Sequence, residues 1–240
     1  MINFPLRLVA LQEVDSTNSY AKELIKKGEI FEGTLITARR QTFGRGRLSR
    51  PWHSKEGESL TMSVVLETPP LPAVTLLCGI AVNRALSHFT ESNRFSLKWP
   101  NDVLSENKKI AGILVERYLD FTIIGIGVNV NNRVFPEGIE NKATSLRLIF
   151  GKDFDTRELS VLIGKALEQV FTEYNYSFCE KAKKDYTALC INPGKEVRFG
   201  ENFERAGIVT GISDDGSLIV RSEKGEHLIS TGEVFISGIY

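Results

Sequence analysis

After about Leu189 the chain is cut into short pieces, and this limits its fold more than any other feature. Turn-forming clusters stand at Asn192-Pro193-Gly194, Gly200-Glu201-Asn202, Ser213-Asp214-Asp215-Gly216 and Glu223-Lys224-Gly225. Between them lie short alternating runs at 196–199, 206–210, 218–221 and 227–230. Strand-length runs separated by turn residues about every ten positions pair into a small all-β module, here expected to be a barrel. Nothing ahead of residue 189 has this rhythm. The sequence therefore predicts two domains, 1–188 and 189–240.

The larger part mixes strand and helix signals. Residues 8–14, 33–40 and 60–66 read as strands. Asp15-Ser16-Thr17-Asn18 is rich in helix-capping side chains, and 19–27 reads as the helix it would cap, ending near Gly28. A proline-rich loop at 68–72 precedes apolar residues at Val74, Leu77, Cys78, Ala81, Val82, Ala85, Leu86 and Phe89. Steps of three and four give that segment one buried helical face. Residues 95–99 and 110–116 are expected as strands on either side of a loop, 121–130 as a glycine-bearing strand, and 156–178 as one long amphipathic helix. The class is α+β: a mixed sheet with flanking helices, followed by the β module.

Composition narrows function. Thirty basic and thirty acidic residues cancel, so no global field draws nucleic acid or an anionic membrane, and any anion site is local. Three cysteines and three histidines are scattered, without disulfide, CxxC or zinc spacing. The first seven residues lack a signal core, and no apolar run approaches the ~20 residues of a membrane span. A cytoplasmic protein without a membrane partner is expected.

Such a local site is written at Gln41-Thr-Phe-Gly-Arg-Gly-Arg-Leu-Ser-Arg-Pro-Trp-His-Ser54. Glycines Gly44 and Gly46 let the backbone approach a ligand closely, while Arg45, Arg47 and Arg50 offer forked donors for carboxylate or phosphate. It is neither a Walker A loop nor a dinucleotide fingerprint, since Ser49 stands where a third glycine would fall. A solvated basic turn is the bland alternative. Three further segments weigh against it. Lys98-Trp99-Pro100-Asn101-Asp102 sets a cation and a carboxylate at the carboxyl end of a strand, where Asp102 suits a hydrated Mg²⁺. Lys108-Lys109-Ile110-Ala111-Gly112-Ile113-Leu114-Val115-Glu116 carries cations into a strand whose Gly112 invites a ligand. Gly125-Ile126-Gly127-Val128-Asn129 ends in a side chain able to meet a ring edge.

Taken in order, these segments, with Asp-Ser-Thr-Asn at 15–18 and Ala-Thr-Ser-Leu at 143–146, resemble the biotin protein ligases (biotin–[acetyl-CoA-carboxylase] ligases). The resemblance implies the class II synthetase-like catalytic fold with an SH3-like C-terminal barrel. It implies an enzyme that activates biotin with ATP and Mg²⁺ as biotinyl-5′-AMP and transfers it to a lysine of a biotin carboxyl carrier protein. By that resemblance Ser16, Thr17, Asn18 and Gln41 meet the biotin rings, with Gly112 and Leu114 lining the slot. Arg45 and Lys109 meet its carboxylate and the α-phosphate, and Gly46 and Arg47 also bind biotin. Arg45, Arg47, Arg50, Trp52, Lys98 and Asn129 serve ATP. Arg45, Lys109 and Asp102 are the catalytic candidates, and Asp102 the metal ligand. The family often reads Gly-Arg-Gly-Arg-Arg-Gly-Arg, whereas this chain has Leu48-Ser49 in the middle. The ligase pattern begins within the first fifteen residues, so the monofunctional class without a DNA-binding domain is expected. Both monomers and homodimers occur in that class. A lipoate or octanoate ligase on the same fold is the first rival; its apolar acyl chain would not need the polar group at 15–18. A nucleic-acid-binding protein is the second, and zero net charge opposes it.

Overall fold

The computed structural model describes residues 7–30, 32–53, 55–68, 71, 73–230, 232, 234–237 and 239. The N-terminal residues 1–6, Ser54 and positions 69, 70 and 72 of the proline-rich loop lie outside them. Strands β1 (Arg7–Val14), β2 (Thr34–Gln41), β3 (Ser59–Glu67), β4 (Phe95–Lys98), β5 (Asp102–Ser105), β6 (Lys108–Tyr118) and β7 (Phe121–Asn129) form one sheet. Its order is β1-β2-β3-β7-β6-β5-β4. β1 and β2 are parallel, joined by helix α1 (Thr17–Lys27), and the other described pairs are antiparallel.

Period-two alternation assigns the two faces. On β7, Ile124, Ile126 and Val128 enter the large core with helices α2 (Val74–Thr90) and α4 (Thr156–Glu173). Ile123 faces the other way and packs with Ala21 and Ile25 of α1. Gly125 and Gly127 share the face of Ile123. On that face the sheet carries no side chain at these positions, and a trough opens beside α1. Full burial of Leu77, Leu167 and Phe171 in the large core stabilises the fold by about 1.5–3 kcal/mol each.

Three expectations need correction. Ser16 is the N-cap of α1, but its side chain makes no capping bond, and Thr17 and Asn18 lie within the first turn. Between 95–99 and 110–116 lies a strand, β5, rather than only a loop; four residues are too few to show a period. The helix expected over 156–178 stops at Glu173. Asn175 and Tyr176 turn the chain with φ of 51° and 53°, and a separate helix α5 (Glu180–Leu189) follows. Tyr174 and Phe178 still enter the core, so the apolar rhythm ran on through the break. A short helix α3 (Leu146–Phe150) was also not anticipated.

The C-terminal module has strands β8 (Glu196–Phe199), β9 (Arg205–Ile212), β10 (Leu218–Ser222) and β11 (Gly225–Ile229), close to the four predicted runs. They form an antiparallel sheet ordered β11-β10-β9-β8, and Phe235 bridges to Arg198 of β8. The module is pinned to the larger sheet through Trp99, whose Nε1–H donates to Gly216 O at 2.9 Å. Gly216 has φ 84°, and a Cβ there would stand 2.5 Å from Ala73 Cβ. Gly216→Ala is therefore expected to lower stability by about 2–3 kcal/mol, read from the urea midpoint, because left-handed strain and overpacking act together. Among the described residues no helix is long and apolar enough to cross a membrane.

Candidate active site

The trough is floored by paired strands. Gly112 of β6 pairs with Gly127, and Leu114 with Gly125. On the other side of β7, Ser63 of β3 pairs with Gly125 and Thr61 with Gly127. Each glycine makes room for a specific neighbour. A Cβ on Gly125 would stand 2.5 Å from Asn18 Oδ1. One on Gly127 would stand 2.6 Å from Trp52 Cζ2, and one on Gly112 3.2 Å from Trp52 Cζ3. The Trp52 indole thus packs against the glycine pair, with Lys109 Nζ 5.8 Å from its ring centre.

One end of the trough is polar and uncharged at its surface. Thr17 N–H donates to Gln41 Oε1 at 2.8 Å, and Thr17 Oγ1 lies 3.1 Å from the same oxygen. Ser63 Oγ is 2.7 Å from Thr17 Oγ1 and 2.6 Å from Asn18 Oδ1. Asn18 Nδ2 donates to Leu114 O at 3.3 Å and to Glu116 Oε2 at 2.8 Å. Lys22 Nζ meets the other oxygen of Glu116 at 2.6 Å. Burial pushes the Glu116 carboxyl up, but the bonds from Lys22 and Asn18 and the charges of Lys22 and Arg45 outweigh it and hold the pKa below its ordinary value.

Residues 41–53 fold over the middle of the trough. The segment closes on itself: Gly46 N–H donates to Arg50 O and Trp52 N–H to Gly44 O, both at 2.8 Å. Arg45 Nη2 donates to Ser19 Oγ at 2.9 Å. Arg47 reaches two other parts of the chain, with Nη1 on Asn101 Oδ1 at 3.2 Å and Nη2 on Gly232 O at 2.7 Å. Leu48 and Ser49 have φ of 53° and 58°. Ser49→Gly removes about 1 kcal/mol of left-handed strain. The expected result is severalfold slower cleavage of this loop in limited proteolysis; cleavage as fast as in the parent would contradict the strain.

The other end is cationic. Lys98 closes β4 and Asp102 opens β5 opposite it, so only Lys98 sits at a strand's carboxyl end. Lys98 is 8% exposed. Asp102 Oδ1 holds Lys109 Nζ at 2.5 Å. Asn101 fixes this turn to β6, donating Nδ2 to Ile113 O at 3.1 Å and accepting Ile113 N–H at 2.9 Å. Asn129 Nδ2 reaches Lys109 O at 3.4 Å.

Both ends of the trough and the residues 45–47 and 50–53 line one cavity of about 600 Å³. Every candidate residue read from the sequence lines it: Ser16, Thr17, Asn18, Gln41, the 45–52 candidates, Lys98, Asp102, Lys109, Gly112, Leu114 and Asn129. Its described lining holds Arg45, Arg47, Arg50, Lys98, Lys109 and Lys142 against one carboxylate, Asp102. In a chain of zero net charge, this excess of cations is local, as any anion site here would have to be. Sequence reasoning missed Lys142, Phe135, Ile139 and, from the C-terminal module, Phe203, Val234 and Phe235. None of these stands in a chemistry-bearing pattern. Lys142 had one signal, its place just before Ala-Thr-Ser-Leu. Among the described residues no three His, Cys, Asp or Glu side chains gather as a metal site. One carboxylate among cations fits an Mg²⁺ that arrives with phosphates, not a resident ion.

The geometry suits a ligand with an uncharged hydrogen-bonding ring at one end and an anion at the other. Known proteins resemble the chain as a whole. Residues 10–131 match the biotin/lipoate A/B protein ligase family, and residues 194–237 match the biotin protein ligase C terminal domain. The biotin protein ligase from Aquifex aeolicus in complex with biotin and ATP is similar, with 38% identity and a TM-score of 0.84 over 96% of this chain and 98% of that one. A biotin protein ligase from Leishmania major in complex with biotinyl-5-AMP has 26% identity and a TM-score of 0.69, over 95% and 100%. The bifunctional ligase/repressor BirA of Bacillus spizizenii is 33% identical over 239 residues, covering 95% of this chain and 73% of that protein. With its sheet, helices and C-terminal module shared over nearly its whole length, the chain belongs to the biotin/lipoate A/B protein ligase family.

Proposed function

We propose that the chain is an ATP-dependent ligase that activates biotin as biotinyl-5′-AMP and transfers the biotinyl group to a lysine of a biotin carboxyl carrier domain. The observation that carries this reading is the junction, in one cavity, of a neutral hydrogen-bonding slot and a cluster of cations over a glycine floor. A ureido ring needs the first and a carboxylate meeting a polyphosphate needs the second. A lipoyl or octanoyl chain offers no hydrogen-bonding ring to the Thr17–Gln41 end.

The ring sits between Ser16, Thr17 and Gln41, with Asn18 behind and Gly112 and Leu114 beneath. Its carboxylate extends to Arg45 and Lys109. There the carboxylate oxygen attacks the α-phosphorus of ATP, and the bond from phosphorus to the pyrophosphate oxygen breaks. Two anions must be brought together, and preorganised cations lower that barrier. Arg45 and Lys109 face the reacting oxygens; Arg47, Arg50 and Lys98 hold the phosphates; Trp52 and Asn129 flank the adenine. Asp102 fixes the Lys109 ammonium and is the carboxylate for Mg²⁺, which when bound neutralises phosphate charge. The acceptor amine then attacks the carbonyl of the mixed anhydride and AMP leaves. Residues 41–53, closed over the slot, keep water from that anhydride. Residues 1–188 form the catalytic domain in this reading, and 189–240 close its mouth.

Biotin-dependent exchange of pyrophosphate into ATP, then transfer of labelled biotin to a carrier domain with ATP and Mg²⁺, tests the proposal. Exchange that responds to lipoate and not to biotin would replace it with the first rival. Salt-sensitive oligonucleotide binding without exchange would replace it with the second.

A further inference from the structure

We infer that Asn192, in the linker between α5 and β8, is a positioning residue: its side-chain oxygen holds the main chain of Trp99 and so sets the turn that carries Lys98, Asn101 and Asp102. Asn192 does not line the cavity and acts through Trp99. The inference rests on the biotin-ligase reading, because the groups it positions are those assigned there to the reacting end.

The turn is a short excursion from the sheet: Lys98 ends β4, Asp102 opens β5, and the two pair across it. Three groups of the cationic end hang on it. Lys98 is one. Asp102 holds Lys109 Nζ at 2.5 Å, and Asn101 Oδ1 accepts Arg47 Nη1 at 3.2 Å. One side of the turn is tied to β6 by the two bonds between Asn101 and Ile113. The other side meets the chain that leaves α5. There Ile191 N–H donates to Leu97 O at 2.9 Å, beside the bridge between Leu97 and Cys190. One step further on, Trp99 N–H donates to Asn192 Oδ1 at 2.8 Å.

The orientation of the Asn192 amide follows from the donor. A backbone N–H only donates, so the amide oxygen faces Trp99. Cys190 Sγ, 3.4 Å from the same oxygen, is a weak donor. Nδ2 is then turned away. It is buried and has no partner among the described residues, in a side chain that is itself fully buried. An amide nitrogen left unpaired in the interior is destabilising, and an apolar side chain of the same volume would avoid it. Filling space therefore does not account for an amide here. What the amide supplies is an oxygen, and that oxygen holds Trp99. Without it the turn keeps its Asn101 anchor and pivots about it. Asp102 shifts, and the Lys109 ammonium loses its fixed place. Both substrates keep their contacts with the rest of the cavity, so chemistry slows more than binding weakens.

The test compares wild type, Asn192→Ala and Asn192→Asp. The last keeps an oxygen for Trp99 N–H and has no Nδ2 bond to lose. Biotin-dependent ATP–pyrophosphate exchange is expressed per biotin-binding site, counted by calorimetry, so that unfolded molecules do not enter the rate. Expected for Asn192→Ala is a kcat lower by about ten- to thirtyfold, with the KM for ATP and the Kd for biotin within about threefold of the parent. Asn192→Asp should recover most of the lost rate. A merely structural role lowers Tm and the number of biotin-binding sites but leaves kcat per site unchanged, and that outcome overturns the inference. So does an equal loss of kcat in Asn192→Asp. An Asn192→Ala protein without biotin-binding sites also overturns it, since Asn192 would then hold the whole fold rather than the turn. Wild type without biotin-dependent exchange overturns the ligase reading and this inference with it.

Discussion

Lys109→Ala is expected to lower biotin-dependent ATP–pyrophosphate exchange by about a hundredfold to a thousandfold, the scale of removing one preorganised group that meets developing charge. Two losses act together. The ammonium beside the reacting oxygens disappears, and the Asp102 carboxylate, whose side chain is only 14% exposed, is left facing the phosphates. The second loss also touches stability, by about 1–2 kcal/mol, below the figure for a fully buried pair because the Lys109 side chain is 28% exposed. Lys109→Ala with Asp102→Asn tests the stability loss by itself: thermal stability should return once the unpaired carboxylate is gone. Exchange within tenfold of the parent in Lys109→Ala would remove Lys109 from the reacting centre.

Gly127→Ala and Gly125→Ala are expected to damage different halves of one reaction. The two residues lie two apart on β7 and share a face, yet a methyl on the first meets the Trp52 indole and on the second the Asn18 amide. Displacing a packed ring costs about 1–3 kcal/mol. Gly127→Ala should therefore raise the KM for ATP by roughly ten- to a hundredfold and move Trp52 emission to longer wavelength. Gly125→Ala should raise the KM for biotin on a similar scale with little change for ATP. Steady-state exchange with each substrate varied decides the matter, and equal effects on both constants in both variants would mean that the floor is shared rather than partitioned.

These predictions depend on register, which the sequence does not display. The run Gly125-Ile126-Gly127 was legible as a glycine-bearing strand, and its alternation was correct, but nothing local says that Gly112 and Ser63 lie beside it. The glycine-arginine loop, the Lys98–Asp102 segment and Lys109 were legible because each is a short cluster of chemically distinctive residues. Glu116 and Ser63 stood in view without a visible role, since their partner Asn18 is 98 and 45 residues away. At the level of fold, the β module was read nearly strand for strand because turn residues mark every boundary. The break at Asn175 was hidden because apolar side chains on both sides of it enter one core. Thr17 and Asn18 were misread as capping residues for a physical reason: short polar side chains serve a helix end and a buried hydrogen-bond chain equally well.

The bond from Arg47 to Gly232 O ties the loop over the reacting groups to a carbonyl from the far end of the chain, and Phe203, Val234 and Phe235 complete that side of the cavity. Product partitioning follows from it. An activated acyl group has two fates, delivery to an amine or wasteful release as free acid and AMP, and their ratio reports how well the enclosure seals. A chain shortened after residue 190 should still collect its substrates on the glycine floor, yet release several AMP molecules for each acceptor labelled. On the proposed reading, the small β module would then set the coupling efficiency of a reaction whose candidate catalytic residues all precede it in the chain.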